Sequence, residues 1–263
     1  FEDDNWPLSS GEFDAALCFF CLEHITFKRV PNFLREVSRI LKPGGRAIFT
    51  IPNVQAQLDW IRDHPDGWDG RDFFDSASEV IFGSQTYEAN THKSFFTPAT
   101  ATALFQAAGF ENIVTQPYGD RNTDLLVQAQ KPVVTPNPAP LQTELKTESK
   151  VESPFVDVTD EERTAMFDKR YFGGGIGVVR GVQVGGYARE GFWDYPVHNI
   201  TAAHVLARKP ESVLEIGCAR GYLLKRFQDA GIKAEGLEIS RHCYMTRVAE
   251  GVLLFDICKT GSA

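Results

Sequence analysis

One stretch restricts the fold more than any other: Ser212-Val213-Leu214-Glu215-Ile216-Gly217-Cys218-Ala219-Arg220-Gly221-Tyr222-Leu223-Leu224. The apolar residues Val213, Leu214 and Ile216 break at a glycine-rich turn. A helical pattern (Leu223, Leu224, Phe227) then runs on to Gly231. Strand, tight turn and helix in that order open a parallel α/β unit. Such a turn aims backbone N–H groups outward from a helix N-terminus, where an anionic group such as a carboxylate can sit. Gly217 and Gly221 carry no Cβ, so the main chain there can come close to a ligand.

The residues that follow narrow the ligand. Ala234 to Ser240 reads as a second strand that ends in an acid. Glu238 lies about 20 residues beyond the turn, where a carboxylate can bond both hydroxyls of a ribose. A dinucleotide fingerprint has the form G-x-G-x-x-G. Here the run is Gly217-x-Ala219-x-Gly221, one residue short, with Ala219 where approach to a pyrophosphate would be closest. The pattern favours a nucleoside cofactor without a pyrophosphate and disfavours an NAD-dependent oxidoreductase.

The run from Glu215 to Gly221, followed by Glu238, resembles the first two motifs of class I S-adenosylmethionine-dependent methyltransferases. That family often has glycine where this chain has Ala219. The front of the chain resembles the second half of the same fold. Glu12–Phe20 reads as a buried strand closed by Leu22-Glu23-His24-Ile25. Pro31–Leu41 has apolar residues at helical spacing, and Lys42-Pro43-Gly44-Gly45 terminates it. Arg46–Asn53 is the next strand. Val54 to Asn90, with Trp60, Trp68, Phe73, Phe74, Phe82 and Tyr87, reads as helix, loop and helix forming an aromatic wall on the substrate side. Thr97 can cap a helix over Ala99–Ala108, with Pro98 at its first position. Phe110–Gln116 and Asp124–Ala129 read as the last two strands, an antiparallel pair.

The resemblance implies an α/β, Rossmann-like methyltransferase fold with strand order 3-2-1-4-5-7-6, presented as a back half followed by a front half. Residues 1–131 correspond to strands four to seven. Residues 132–155 form a Pro/Thr/Glu-rich linker. Residues 156–263 hold a glycine-rich segment, a lid or a connector, and strands one to three. Within them Thr159–Arg170 and Tyr195–Arg208 read as helices, and Val252–Ile257 as the third strand. A fragment of a tandem protein, cut inside both units, would have this order. The halves are complementary, so strand four could pair with strand one and close the chain as a circularly permuted domain. A domain-swapped or tandem methyltransferase partner is the other way to complete the sheet.

By the same resemblance, Glu215, Gly217 and Gly221 would line the methionine end of S-adenosylmethionine, with Cys218, Ala219 and Tyr222 in the same turn. Glu238 would bond the ribose and Ile239 would lie against the adenine. Asp256, with Ile257 beside it, would contact the adenine amine or else serve in a surface ion pair or in packing. Phe19 and Phe20 would end strand four beside the cofactor. A hydroxyl acceptor needs a base, and an unperturbed histidine titrates near neutrality. His24 and Glu23 are the candidates, each with a capping or loop role as the alternative. His92 is the third, and a bond to a loop carbonyl is favoured for it. Tyr171, Tyr187 and His198 are weaker candidates from the lid.

Net charge is −8, with no dense Lys/Arg cluster, which argues against nucleic acid as the main partner. A small-molecule or glycan acceptor suits this charge. Cys18 and Cys21 have CxxC spacing but sit in an apolar run, so they read as small buried hydrophobes, and no metal site is expected. Five cysteines without framework spacing point to reduced thiols and a cytoplasmic location. No apolar run approaches the about 18 residues of a membrane span. The leading expectation is methyl transfer from S-adenosylmethionine. A non-catalytic cofactor-binding or assembly module of a tandem protein is the alternative.

Overall fold

The computed structural model describes residues 6–85, 90–133, 176–179, 182–185 and 196–257. Its centre is β1 (Phe13–Phe19), an apolar strand with helices on both sides of its sheet. It pairs in parallel with β2 (Leu41–Pro52) on one side and with β7 (Ser212–Ile216) on the other, in the register Ala15↔Val213 to Cys18↔Ile216. Outside β2 lie β4 (Asp124–Gln130) and then β3 (Glu111–Tyr118), both antiparallel to their neighbours. Outside β7 lie β8 (Lys233–Glu238) and β9 (Val252–Leu254), both parallel. The seven strands form one sheet in the order β3-β4-β2-β1-β7-β8-β9. β5 (Ile176–Val179) and β6 (Val182–Gly185) form a separate antiparallel pair.

The parallel strands are joined by helices, as their geometry demands. α1 (Val30–Ile40) links β1 to β2 and buries Val30, Phe33, Leu34, Val37 and Ile40, one stripe at helical spacing. The antiparallel side is reached through α2 (Val54–Asp63), α3 (Phe73–Phe82) and α4 (Pro98–Ala107). The start of α4 is fixed by a capping box, in which Thr97 and Thr100 satisfy each other's backbone N–H. α5 (Pro196–Leu206) precedes β7. α6 (Tyr222–Asp229) links β7 to β8 and buries Leu223, Leu224 and Phe227, and α7 (Arg241–Met245) follows β8.

Alternation along the strands divides the core into two layers. Ala16, Cys18, Leu214 and Ile216 face the layer of Phe33, Phe49 and Phe105, whereas Ala15, Leu17 and Val213 face that of Val205, Leu224 and Phe227. Both layers therefore mix residues from the two ends of the chain. The same seam carries polar ties. Asp14 Oδ2 accepts the N–H groups of Glu211 (2.9 Å) and Ser212 (2.8 Å), and Lys233 Nζ reaches Glu12 Oε1 at 2.6 Å.

Two boundaries differ from the sequence expectation. The Lys42-Pro43-Gly44-Gly45 run follows the end of α1, as expected, but lies inside β2, which begins at Leu41 and not at Arg46. It is the irregularity where pairing jumps from Phe13↔Leu41 to Ala15↔Arg46, and Gly44 turns through φ +79 there. β9 stops at Leu254, so Asp256 and Ile257 follow the strand. The Thr159–Arg170 helix, Tyr171, Tyr187, the linker and most of the glycine-rich segment lie outside the described residues. No helix among the described residues is long and apolar enough to cross a membrane.

Candidate functional site

Two groups of side chains collect at the carboxyl ends of β1, β7 and β8. The sheet's connections diverge there, and open α/β sheets bind ligands at such a point. The first group is the turn after β7. Gly217 (φ +74), Ala219 (φ +48) and Gly221 (φ +78) all take left-handed backbone. That costs glycine little and alanine about 1–2 kcal/mol. A Cβ at Gly221 would stand 2.8 Å from Ala249 Cβ, so glycine is required by space as well as by conformation. One at Gly236 would stand 2.5 Å from Cys218 Sγ, so a bare position on β8 lets the turn lie flat on the sheet.

Glu238 fastens this turn. Its Oε2 accepts the Ala219 N–H at 2.7 Å and its Oε1 accepts the Ser240 N–H at 2.6 Å. The carboxylate is buried, and burial raises its pKa to about 7 against the opposing pull of those amides. Glu215, the fourth residue of β7, is also buried, and its Oε2 finds no partner among the described residues. Burial and the neighbouring charge of Glu238 lift its pKa to about 8. Cys18, Cys218 and Cys243 are buried and Cys21 is half-buried, all four as free thiols. Cys21 lies beside the turn, with its Sγ 3.6 Å from where a Gly217 Cβ would be.

The second group begins two residues further on. Glu23 and His24 lie in a short 3-10 turn, Leu22–His24, after β1. The segment carrying His92 is clasped to it by backbone: Lys93 N–H (2.7 Å) and Ser94 N–H (3.1 Å) both donate to the Glu23 carbonyl. Ser94 Oγ donates to the Ile25 carbonyl. The His24 and His92 rings stand 5.3 Å apart. His24 Nδ1 is 3.2 Å from the Thr91 carbonyl and His92 Nδ1 is 3.3 Å from the Ile81 carbonyl. A carbonyl only accepts, so each ring carries its proton on Nδ1 and keeps Nε2 as a bare lone pair. Burial holds His24 down at about 4 and His92 below its ordinary value. Glu23 is 2% exposed, its Oε2 has no partner among the described residues, and burial raises its pKa to about 8.

Of the expected cofactor residues, Glu215, Gly217, Cys218, Ala219, Gly221 and Glu238 form one cluster. Tyr222 opens α6 half-buried with the Arg220 guanidinium 5.7 Å from its ring, and Ile239 is half-buried. Phe20 sits at the end of β1 with φ +48, an unusual conformation for a bulky residue, and shows 45% of its surface. Phe19 packs against the Leu17 layer. Ile257 is packed into the Phe49 layer. The residues expected to form an aromatic wall are divided between packed and exposed positions. Trp60 stacks on His64 at 4.0 Å and meets Trp68 edge-on, while Phe73, Phe74 and Phe82 are exposed. Sequence reasoning passed over Asn53 and Gln57. Both are buried after β2 with side-chain oxygens unpartnered among the described residues, and no local pattern marks them.

Residues 1–115 match the family model of a methyltransferase domain. Together with the seven-stranded mixed sheet, that match supports a Rossmann-like methyltransferase fold. Over 56 residues the chain is 43% identical to uncharacterized protein MJ1252 of Methanocaldococcus jannaschii, an overlap of 21% of each chain. Among solved structures, it is similar to a possible exported protein of Bordetella parapertussis (19% identity, 50% of this chain and 43% of that one, TM-score 0.36). It is also similar to the S-adenosylmethionine-dependent methyltransferase SibL (15%, 49% and 34%, TM-score 0.35). A SAM-dependent methyltransferase of Thermotoga maritima gives 21% identity over 50% and 62%, with a TM-score of 0.33. Scores this low establish no shared overall fold. The chain spans about a fifth of the length of the curated relative and less than two thirds of each of these structures.

Proposed function

We propose that this chain binds S-adenosylmethionine at the β7–α6 turn and transfers its methyl group to an oxygen, nitrogen or carbon of a small-molecule or glycan acceptor. The observation that carries the reading is the Glu238 brace. A carboxylate offers about four lone-pair sites. Backbone amides, among them those of Ala219 and Ser240, take some of them, and the rest are left for the hydroxyls of a ribose. The orphaned Glu215 Oε2 is a second fitting feature, because a buried acceptor suits the ammonium end of the cofactor. When bound, S-adenosylmethionine supplies a methyl on a sulfonium that carries its own leaving group.

The chain's part is alignment and exclusion of water. The turn fixes the cofactor's methionine end against Gly217 and Gly221, and Glu238 holds the sugar. The end of β1 and the exposed aromatic residues of α3 close the acceptor side. His24 and His92 hold unprotonated Nε2 atoms there, since burial disfavours their charged forms. Pairing of β1 with β7 supports reading the chain as a circularly permuted domain, with β7, β8 and β9 as strands one to three and β1, β2, β3 and β4 as strands four to seven.

Isothermal titration of S-adenosylmethionine into the full chain tests the reading. Wild type gives saturable heat. Glu238→Ala weakens binding by at least a hundredfold, the loss of two hydrogen bonds to a charged group at about 1.5–3 kcal/mol each. Absence of heat with folded wild type overturns the proposal.

A further inference from the structure

We infer that Glu23, His24 and His92 form a binding site for a divalent transition-metal ion of the zinc class. One ligand atom from each of the three lies within 4.8 Å of the others. His24 Nε2 and Glu23 Oε1 are 3.9 Å apart, too far for a hydrogen bond and close enough to share an ion. Ligand atoms on one tetrahedral zinc lie about 3.3 Å apart, given bonds of about 2.0–2.1 Å. Small side-chain rotations that draw the three atoms inward by about an ångström therefore complete the set.

Three further features point the same way. Both imidazoles are held by Nδ1–H donated to a backbone carbonyl, from Thr91 and from Ile81. That outer hydrogen bond is the one metal-ligating histidines need, because it fixes the tautomer and turns Nε2 toward the ion. Glu23 is almost wholly buried with an unpartnered Oε2, a cost that a bound cation removes. The backbone has also been shaped to deliver His92. Gly83 takes φ +76, and a Cβ there would lie 2.3 Å from the Asn90 carbonyl oxygen and 3.1 Å from His92 Cδ2. The clasp from Lys93 and Ser94 to the Glu23 carbonyl then presses the two segments together.

Two imidazoles and one carboxylate suit zinc, cobalt or iron(II) better than magnesium or calcium, which prefer sets made of oxygen alone. Three protein ligands leave a fourth position open to water or to an oxygen of a bound molecule. The site does not depend on the methyl-transfer reading. Only the use of the open position by an acceptor oxygen would rest on it.

Cobalt(II) titration of the metal-free full chain, read by visible ligand-field absorption, tests the inference. Wild type should saturate at one ion per chain, with the intensity of a four- or five-coordinate centre and without a thiolate-to-cobalt band. Zinc should displace the cobalt. His24→Ala and His92→Ala should each weaken binding at least tenfold, and Glu23→Gln should do the same. His92→Gln gives a second, milder variant, and circular dichroism verifies that each variant is folded. No cobalt spectrum in wild type, a spectrum unchanged in both histidine variants, or a sulfur band from Cys21 or its neighbours overturns the inference. S-adenosylmethionine calorimetry on the same samples reads the Glu238 site separately, so failure of one site is distinguishable from failure of the other.

Discussion

Glu238 and Glu23 are both buried carboxyl groups at the same end of the sheet, yet they are partnered in opposite ways. Glu238 has a backbone amide on each oxygen, supplied by residues close along the chain and across one strand. Glu23 has an oxygen with no partner among the described residues and faces two uncharged imidazoles. The first carboxylate is already part of the scaffold, and a ligand has only to add to it. The second is left with a deficit among the described residues that a cation can fill. Preorganised amides favour a ligand with hydroxyl donors, whereas bare lone pairs favour a cation. The two groups are neighbours, since Cys21, two residues before Glu23, lies against the Gly217 turn.

The sharpest way to break the comparison is at the scaffold side. Gly221→Ala forces a methyl against Ala249 in left-handed backbone, and the combined overpacking and conformational cost is about 2–4 kcal/mol. Urea unfolding should show that loss, with S-adenosylmethionine binding reduced and the cobalt spectrum of the folded fraction retained.

A smaller effect sharpens the role of the acids near the turn. Glu215 has a folded pKa of about 8, above the ordinary 4.5. The folded state thus keeps a proton that the unfolded chain gives up. This contribution is full below about pH 4.5 and is lost as pH rises, until the folded group titrates near pH 8. Glu215→Gln removes that loss. Relative to wild type, the variant should gain about 1–2 kcal/mol between pH 6 and pH 7.5, measured by thermal or urea unfolding without cofactor.

The smallest effect falls on the other region. Gly83→Ala should push the His92 segment outward and lower cobalt affinity by about three- to tenfold, which is about 1 kcal/mol. S-adenosylmethionine affinity should not change. Equal losses at both sites would show that the two groups are not separable.

The same contrast explains what could be read from the chain before its structure. The β7 turn, the acid on β8 and the cap at Thr97 are set by residues within one strand–helix–strand unit or one helical turn, so spacing reveals them. Glu23 and His24 were visible as polar residues closing an apolar strand. Their convergence with His92 was not visible, because it depends on backbone hydrogen bonds between segments about 70 residues apart. His92 does meet a carbonyl through Nδ1, which leaves the ring's other nitrogen available to the group. The Lys42–Gly45 run was legible only in part: its proline and glycines mark the end of α1, but they do not reveal that pairing on both flanks absorbs the run as an irregularity within β2. Ile257 sits in the core because β9 ends early, which periodicity over so short a strand cannot reveal.

The seam between β1 and β7 has a consequence for how the molecule comes into being. Its paired residues, such as Ala15 and Val213, are about 200 positions apart. Loop-closure entropy has to be overcome before such a pairing returns anything. β1 to β4 are made before β7, so this pairing of the central strand must wait until Ser212–Ile216 arrives. The interval before the seam forms is when that edge of β1 most needs protection from neighbouring chains.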